Sequence, residues 1–243
     1  MTETAETLGI EHKAVRFVLN QAAGYLWHRA ELASAVALME RALAIDEARL
    51  GPVHSDTATS LNNLANVLHD QGDLNRARTL HERALAIRQD RLGADDPLTA
   101  RSLSNLALVL HDQSDLDRAR HLLERALAIF ETRLGVDHPD TATSLDNLAA
   151  MLYDQGDLDA ARPLFERALA IHEAHLGADH PDTATSLNNL AELLRVQGDL
   201  DAARPWFERA LAIREARLGA DHPDTARSQE QLAATVAALE NRQ

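Results

Sequence analysis

The hexapeptide Glu-Arg-Ala-Leu-Ala-Ile begins at Glu40, Glu82, Glu124, Glu166 and Glu208, so successive copies start 42 residues apart. A fixed period of this size, carried by a segment that reads as helix, describes a supersecondary unit stacked on copies of itself rather than a closed globule. With His54 as origin the register divides the chain into units 12–53, 54–95, 96–137, 138–179 and 180–221. Residues 1–11 then read as the remnant of a preceding unit or an N-terminal arm, and residues 222–243 as a capping helix. The expected fold is all-α.

Each unit reads as two helices. In the fourth, Pro139 and Asp140 suit a first helical turn, where proline loses no bond and a carboxylate meets the positive end of the dipole. Leu145, Leu148, Ala149 and Leu152 follow at i, i+3, i+4 and i+7, a single apolar stripe that ends at Gly156. Asp157 is the expected N-cap of a second helix from Leu158 to about Leu176, ahead of Gly177. The stripe of that helix (Ala161, Leu164, Phe165, Ala168, Leu169, Ile171) is wide enough to touch both its partner and the next unit. Aromatics make up only 3% of the chain, so the core must be built from Leu, Ile and Ala, which allow helix axes to approach closely.

The two ends differ. In the last unit Gln229 takes the place of the expected leucine of the stripe and is followed by Glu230 and Gln231, as expected for a solvated cap. Leu8 and Gly9 stand 42 residues before Leu50 and Gly51, as though they closed a helix of a preceding unit. The first unit carries Phe17, Tyr25 and Trp27 on its first helix and has Ala30 where a turn glycine is expected. It has no polar cap, which implies an edge covered by further repeats, another domain or another subunit.

Several chemistries are excluded or disfavoured. A formal charge of −14 opposes binding to phosphate backbones or anionic membranes. With no cysteine there is neither a disulfide nor a thiolate site. No signal-peptide core and no membrane-length apolar run stand out, and the chain reads as cytoplasmic. His12, His54, His138, His180 and His222 share one loop register, about 8–10 Å from unit to unit, too far apart to ligate one metal. His69-Asp70 and His111-Asp112 resemble a phosphohydrolase dipeptide but are one point of the repeat without the rest of that constellation, and His172 and His175 are a chance surface pair. Neither catalytic residues, metal ligands nor a cofactor are expected. Pairs such as Glu166-Arg167 read as a solvated helix face.

Leu148-Ala149, Leu152, Gly156, Ala161, Phe165 and Ala168 together resemble the tetratricopeptide repeat signature, over roughly residues 12 to 240. The 42-residue length and the phrase from His180 to Gly219 are most similar to repeats of the kinesin light chain type, which also occur behind NTPase domains in bacterial signalling proteins. The chain itself has no phosphate-binding G-x-x-x-x-G-K-[ST] loop. The resemblance implies a right-handed α-α superhelix, a tetratricopeptide solenoid, whose first helices line a concave channel for an extended peptide or a partner helix. On those helices Asn63, Asn105, Asn147 and Asn189 form one ladder, continued by Gln21 and Gln231, and amides that both donate and accept suit successive peptide groups of a ligand. A neighbouring polar row holds Asn20, Asn62, Ser104, Asp146 and Asn188. The alternative role of such amides is hydrogen bonding between helices. Trp27, His69, His111, Tyr153 and Arg195 vary at one register, and with Arg101 would set selectivity. Lys13 is the only lysine, so a lysine clamp for a C-terminal carboxylate is not expected. The expected function is a non-enzymatic protein-interaction scaffold. The alternatives are a sensor or autoinhibitory segment of a signalling NTPase, or a scaffold that self-associates through its first repeat.

Overall fold

The computed structural model describes residues 2–242, with the side chains of residues 2–13 and of His28 outside the description. The expectations placed on His12 and Lys13 therefore lie outside the described residues. All described secondary structure is helical: α1 (Thr2–His28), α2 (Leu32–Leu50), α3 (Ser55–Asp70), α4 (Leu74–Leu92), α5 (Pro97–Asp112), α6 (Leu116–Arg133), α7 (Pro139–Asp154), α8 (Leu158–His175), α9 (Pro181–Val196), α10 (Leu200–Leu218) and α11 (Pro223–Glu240). The chain falls into two compact units, Met1–Ala126 and Leu127–Gln243. Within each, successive helices pack on one another in sequence order.

The helix boundaries follow from local chemistry. Asp73, Asp157 and Asp199 cap second helices, each carboxylate accepting from a backbone N–H three residues on. The caps of the first helices were not expected: His54, His138, His180 and His222 each accept the N–H of the second residue beyond through Nδ1, at 3.1 to 3.2 Å. This fixes Nδ1 as an unprotonated acceptor and accounts for the loop register of these histidines. At the turns between paired helices Gly72, Gly156 and Gly198 adopt φ between 81° and 86°. Ala30 and Ser114 hold the same place at φ 60° and 66°, a region that penalises a side chain. At the other end of the chain, α1 runs unbroken past Leu8 and Gly9, so these residues do not close a separate helix as expected.

In unit 1, Ala58, Leu61, Ala84 and Ile87 form one core layer, and Val36, Met39, Leu64, Val67 and Leu68 contribute to a second. In unit 2, Ala142, Leu145, Ala168 and Ile171 form the layer equivalent to the first. The alanine at the third place of the hexapeptide, Ala42, Ala84, Ala126, Ala168 or Ala210, is fully buried throughout. Its neighbouring arginine does more than cover a solvated face. Arg83, Arg125, Arg167 and Arg209 each reach back 31 residues to the carbonyl of Pro52, Ala94, Val136 or Ala178, which ties a second helix to the loop of the preceding pair. Thr57, Thr99, Thr141 and Thr183 make a matching tie, donating to the carbonyls of Gly51, Gly93, Gly135 and Gly177 at 2.8 to 2.9 Å.

Candidate binding surface on the first helices

Two polar rows run along the first helices, and they have different fates. Asn62 and Asn188, expected to contact a ligand, are buried, 4% and 6% exposed. Asn62 lies among residues of α4 and α5. Its Nδ2 donates to His81 Nδ1 at 2.8 Å and its Oδ1 accepts from Arg88 at 2.7 Å and from Ser102 at 3.0 Å. Asn188 Oδ1 accepts from Ser228, which in turn accepts from Arg214. These two amides satisfy polar groups inside the helix stack and face no groove, because the stack places the row of residue 62 against the next helix pair.

Asp146 holds the same register in unit 2. Ser186 donates to its Oδ2 at 2.5 Å and lies 2.9 Å from His172 Nδ1. Burial, opposed mainly by the bond from Ser186, pushes the Asp146 carboxyl up to about 7, and burial lowers His172. Low dielectric thus favours the neutral form of both. Other helix pairs place a cation at this depth: in unit 1 Arg88 donates to Ser102 and to the carbonyl of Leu98, both at 2.9 Å, and burial lowers it to about 10, and in unit 2 Arg214 donates likewise to Ser228 and to the carbonyl of Asp224. His81, buried next to Asn62, is lowered to about 4, first by desolvation and then by the charges of His69 and Arg88.

The row of Asn63 behaves otherwise. Asn63 on α3 and Asn105 on α5 are half-buried, as is Asn66 one turn along α3, and among the described residues their side-chain amides have no partner. The sequence reading did not single out Asn66, although it stands three residues from Asn63 on the same helical face. At the end of this face Trp27 Nε1 donates to Asp70 at 2.6 Å, and Asp112 lies 2.7 Å from His69 Nε2 and 3.3 Å from His111 Nδ1. The residues expected to vary for selectivity thus also link each first helix of unit 1 to the acid at the end of a first helix. Arg101 is exposed on α5.

In unit 2, Asn147 and Asn189 are half-buried in the same row, and the Asn189 amide bears on the Asp146 carboxyl. Tyr153 and Arg195 converge on Glu192, which the sequence reading did not identify. Arg195 grips Glu192 through Nε at 2.9 Å and Nη2 at 2.6 Å, Tyr153 donates at 3.3 Å, and Gln231 adds a fourth bond at 3.4 Å. The Arg195 bond, ahead of the opposing effect of burial, lowers the Glu192 carboxyl, and burial raises Tyr153. Among the described residues no group of three or more acidic, histidine or cysteine side chains forms a metal site, and no helix is long and apolar enough to cross a membrane.

A tetratricopeptide repeat family model matches residues 14–90, 56–132, 98–174, 140–216 and 182–243, so it covers the chain from residue 14 onward. The chain belongs to the tetratricopeptide repeat family. Among solved structures, this array is similar to BtubC of P. vanneervenii, with 25% identity, TM-score 0.70, and coverage of 90% of this chain and 87% of that one. It is also similar to nearly identical tetratricopeptide-like repeats of kinesin light chain type from Podosopora anserina (26% identity, TM-score 0.62, 82% and 94% covered). The Rap conjugation gene regulator of plasmid pLS20, solved with the Phr* peptide, shares the fold at 17% identity and TM-score 0.76, and this chain spans 66% of its length. None of the curated proteins matches the sequence. The array is a tandem-repeat tetratricopeptide scaffold of the kinesin light chain kind, a class whose role is protein interaction.

Proposed function

We propose that the protein binds an extended peptide on the first-helix face of unit 1, where Asn63, Asn66 and Asn105 pair with consecutive backbone groups of the ligand. The observation that carries this is the state of those amides: half-buried, on one face, and committed to no partner among the described residues. A peptide hydrogen bond that replaces water on such an amide contributes about 1 kcal/mol net. Because an amide donates and accepts at once, such a face reads a backbone rather than a side-chain sequence. Selectivity then falls to His69, His111 and Arg101, although His69 and His111 also bear on Asp112 and Arg101 has a partner of its own within the protein. On the face of unit 2, Asn147 is the counterpart, whereas Asn189, Tyr153 and Arg195 are engaged within the protein. Such a module also fits a sensor segment of a larger signalling protein, with a peptide or a partner segment as the signal.

Displayed random peptides selected on the intact protein supply the probe. Their affinity is expected to fall at least about tenfold in Asn63→Ala/Asn105→Ala and less than about twofold in Asn189→Ala. Equal affinity in all three proteins, with helicity retained, removes the proposal.

A further inference from the structure

Unit 2 brings together in its interior one polar side chain from each of three helices: Asp146 of α7, His172 of α8 and Ser186 of α9. They are 8%, 2% and 0% exposed. The Ser186 hydroxyl sits between the other two, 2.5 Å from Asp146 Oδ2 and 2.9 Å from His172 Nδ1, while Nδ1 and Oδ2 are 3.7 Å apart. The outer atoms, Asp146 Oδ1 and His172 Nε2, are buried and make no hydrogen bond among the described residues. Comparable depths elsewhere are served differently. Arg88 and Arg214 set a guanidinium on Ser102 and Ser228, and another buried acid, Asp46, has Arg16 at 3.5 Å as well as Ser60. Asp146 meets a hydroxyl and an imidazole.

A hydroxyl has one hydrogen to give, and that fixes how the three groups can be joined. With a carboxylate, Ser186 donates to Asp146 and accepts from an imidazole that carries its hydrogen on Nδ1, and one negative charge is buried. A proton added at Nε2 changes the sense of both bonds. The Nδ1 hydrogen passes to Ser186, the Ser186 hydrogen passes to Asp146 Oδ2, and a neutral carboxyl and an Nε2–H imidazole result. The cluster thus takes up one proton without losing a hydrogen bond and sheds a buried charge. Asp182, at the start of α9, adds negative charge beside both Asp146 and His172. His180 ahead of it opposes charge on the imidazole, and the carbonyl of Pro139 on α7 favours it. The Ser186 hydroxyl and the Asn189 amide favour the carboxylate, and burial outweighs them.

We infer that Asp146, Ser186 and His172 form a proton-operated latch that holds α9 against α7 and α8, tight with the proton bound and weakened when it leaves. Burial pushes the Asp146 carboxyl up to about 7, which puts the change near neutral pH. The folded value lies above the ordinary 3.8, so the hold is complete below about 3.8 and is lost as pH rises through about 7. The helix so held carries Asn189, Glu192 and Arg195, and the unit 2 face is therefore the one that answers to pH. The latch does not depend on peptide binding by unit 1.

Two measurements on the full chain test it. By nitrogen NMR, His172 is expected to carry its hydrogen on Nε2 below about pH 7 and on Nδ1 above it, and to keep a single tautomer in Asp146→Asn. By hydrogen exchange corrected for intrinsic rates, opening of α9 in the parent relative to Asp146→Asn is expected to climb at least about tenfold from about pH 5 to about pH 8, with α3 of unit 1 unchanged. Asparagine already holds this register at Asn62 and Asn188, so the variant folds. One tautomer throughout in the parent, no climb for α9, or an equal climb for α3 overturns the inference.

Discussion

The first-helix faces of the two units start from the same repeat and end in opposite states. In unit 1, Asn63, Asn66 and Asn105 have no partner among the described residues, while in unit 2 a single carboxylate, Glu192, gathers Arg195, Tyr153 and Gln231 into one network. The residue that decides is one turn from the ladder: Asn66 in unit 1 and Glu192 at the equivalent place in unit 2. The contrast continues inward from one helix pair to another, where the same depth holds a guanidinium at Arg88 in unit 1 and at Arg214 in unit 2, but a carboxyl and an imidazole at Asp146 and His172. A scaffold fixed by alanine and leucine thus leaves polar residues free to make one face available and the other self-satisfied. Interior polar clusters of different chemistry also make one helix pair a poor substitute for another, a registry role that such groups serve elsewhere.

The contrast is broken most strongly at Arg88. Arg88→Ala leaves Asn62, Ser102 and the Leu98 carbonyl short of a donor and is expected to lower stability by about 3 kcal/mol in chemical denaturation, with unit 1 opening first by hydrogen exchange. Asp146→Asn should act in the opposite direction. The folded carboxyl titrates near 7, above its ordinary 3.8, so ionisation costs stability as pH rises from about 4 to about 7, and the full cost persists above that. The amide already occupies this register as Asn62 and Asn188, so the variant is expected to gain about 2 kcal/mol at pH 8 and nothing near pH 4. His172, lowered by burial, adds an opposite loss as pH falls from 6.5, and because Ser186 bonds both His172 and Asp146 the comparison is made at pH 8, where His172 is neutral in both proteins. The smallest effect separates the turns. Ala30 and Ser114 of unit 1 stand where unit 2 has Gly156 and Gly198, and replacing either by glycine should raise the melting temperature by the equivalent of about 1 kcal/mol at most.

Much of this was legible in the sequence. The 42-residue period, the proline and aspartate at helix starts and the glycine turns led to the helix pairs, and α7 and α8 begin where Pro139 and Leu158 were expected to start them. The polar ladders were legible only as positions. Whether an amide such as Asn62 faces a groove or the next helix depends on which flank of the first helix meets its neighbour, and two rows one residue apart lie about 100° around the helix. Their stripes look alike in sequence, yet one row is buried and the other is not. The histidine caps were missed because imidazole is an uncommon cap, and the hexapeptide arginine because a basic residue beside a glutamate reads as surface. Its unbroken recurrence at Arg83, Arg125, Arg167 and Arg209 was the available signal. Glu192 carried no such signal, since Asn66, Leu108 and Ala150 hold its place elsewhere.

The central claim, that unit 1 reads a peptide by its backbone, is tested most directly by N-methyl scanning of a peptide selected on the intact protein. Methylating a central backbone amide removes one donor without changing a side chain, and the prediction is a loss of about tenfold at one or two successive positions, abolished in the Asn63→Ala/Asn105→Ala protein. Retained affinity at every methylated position, with losses only on side-chain substitution, would contradict the account.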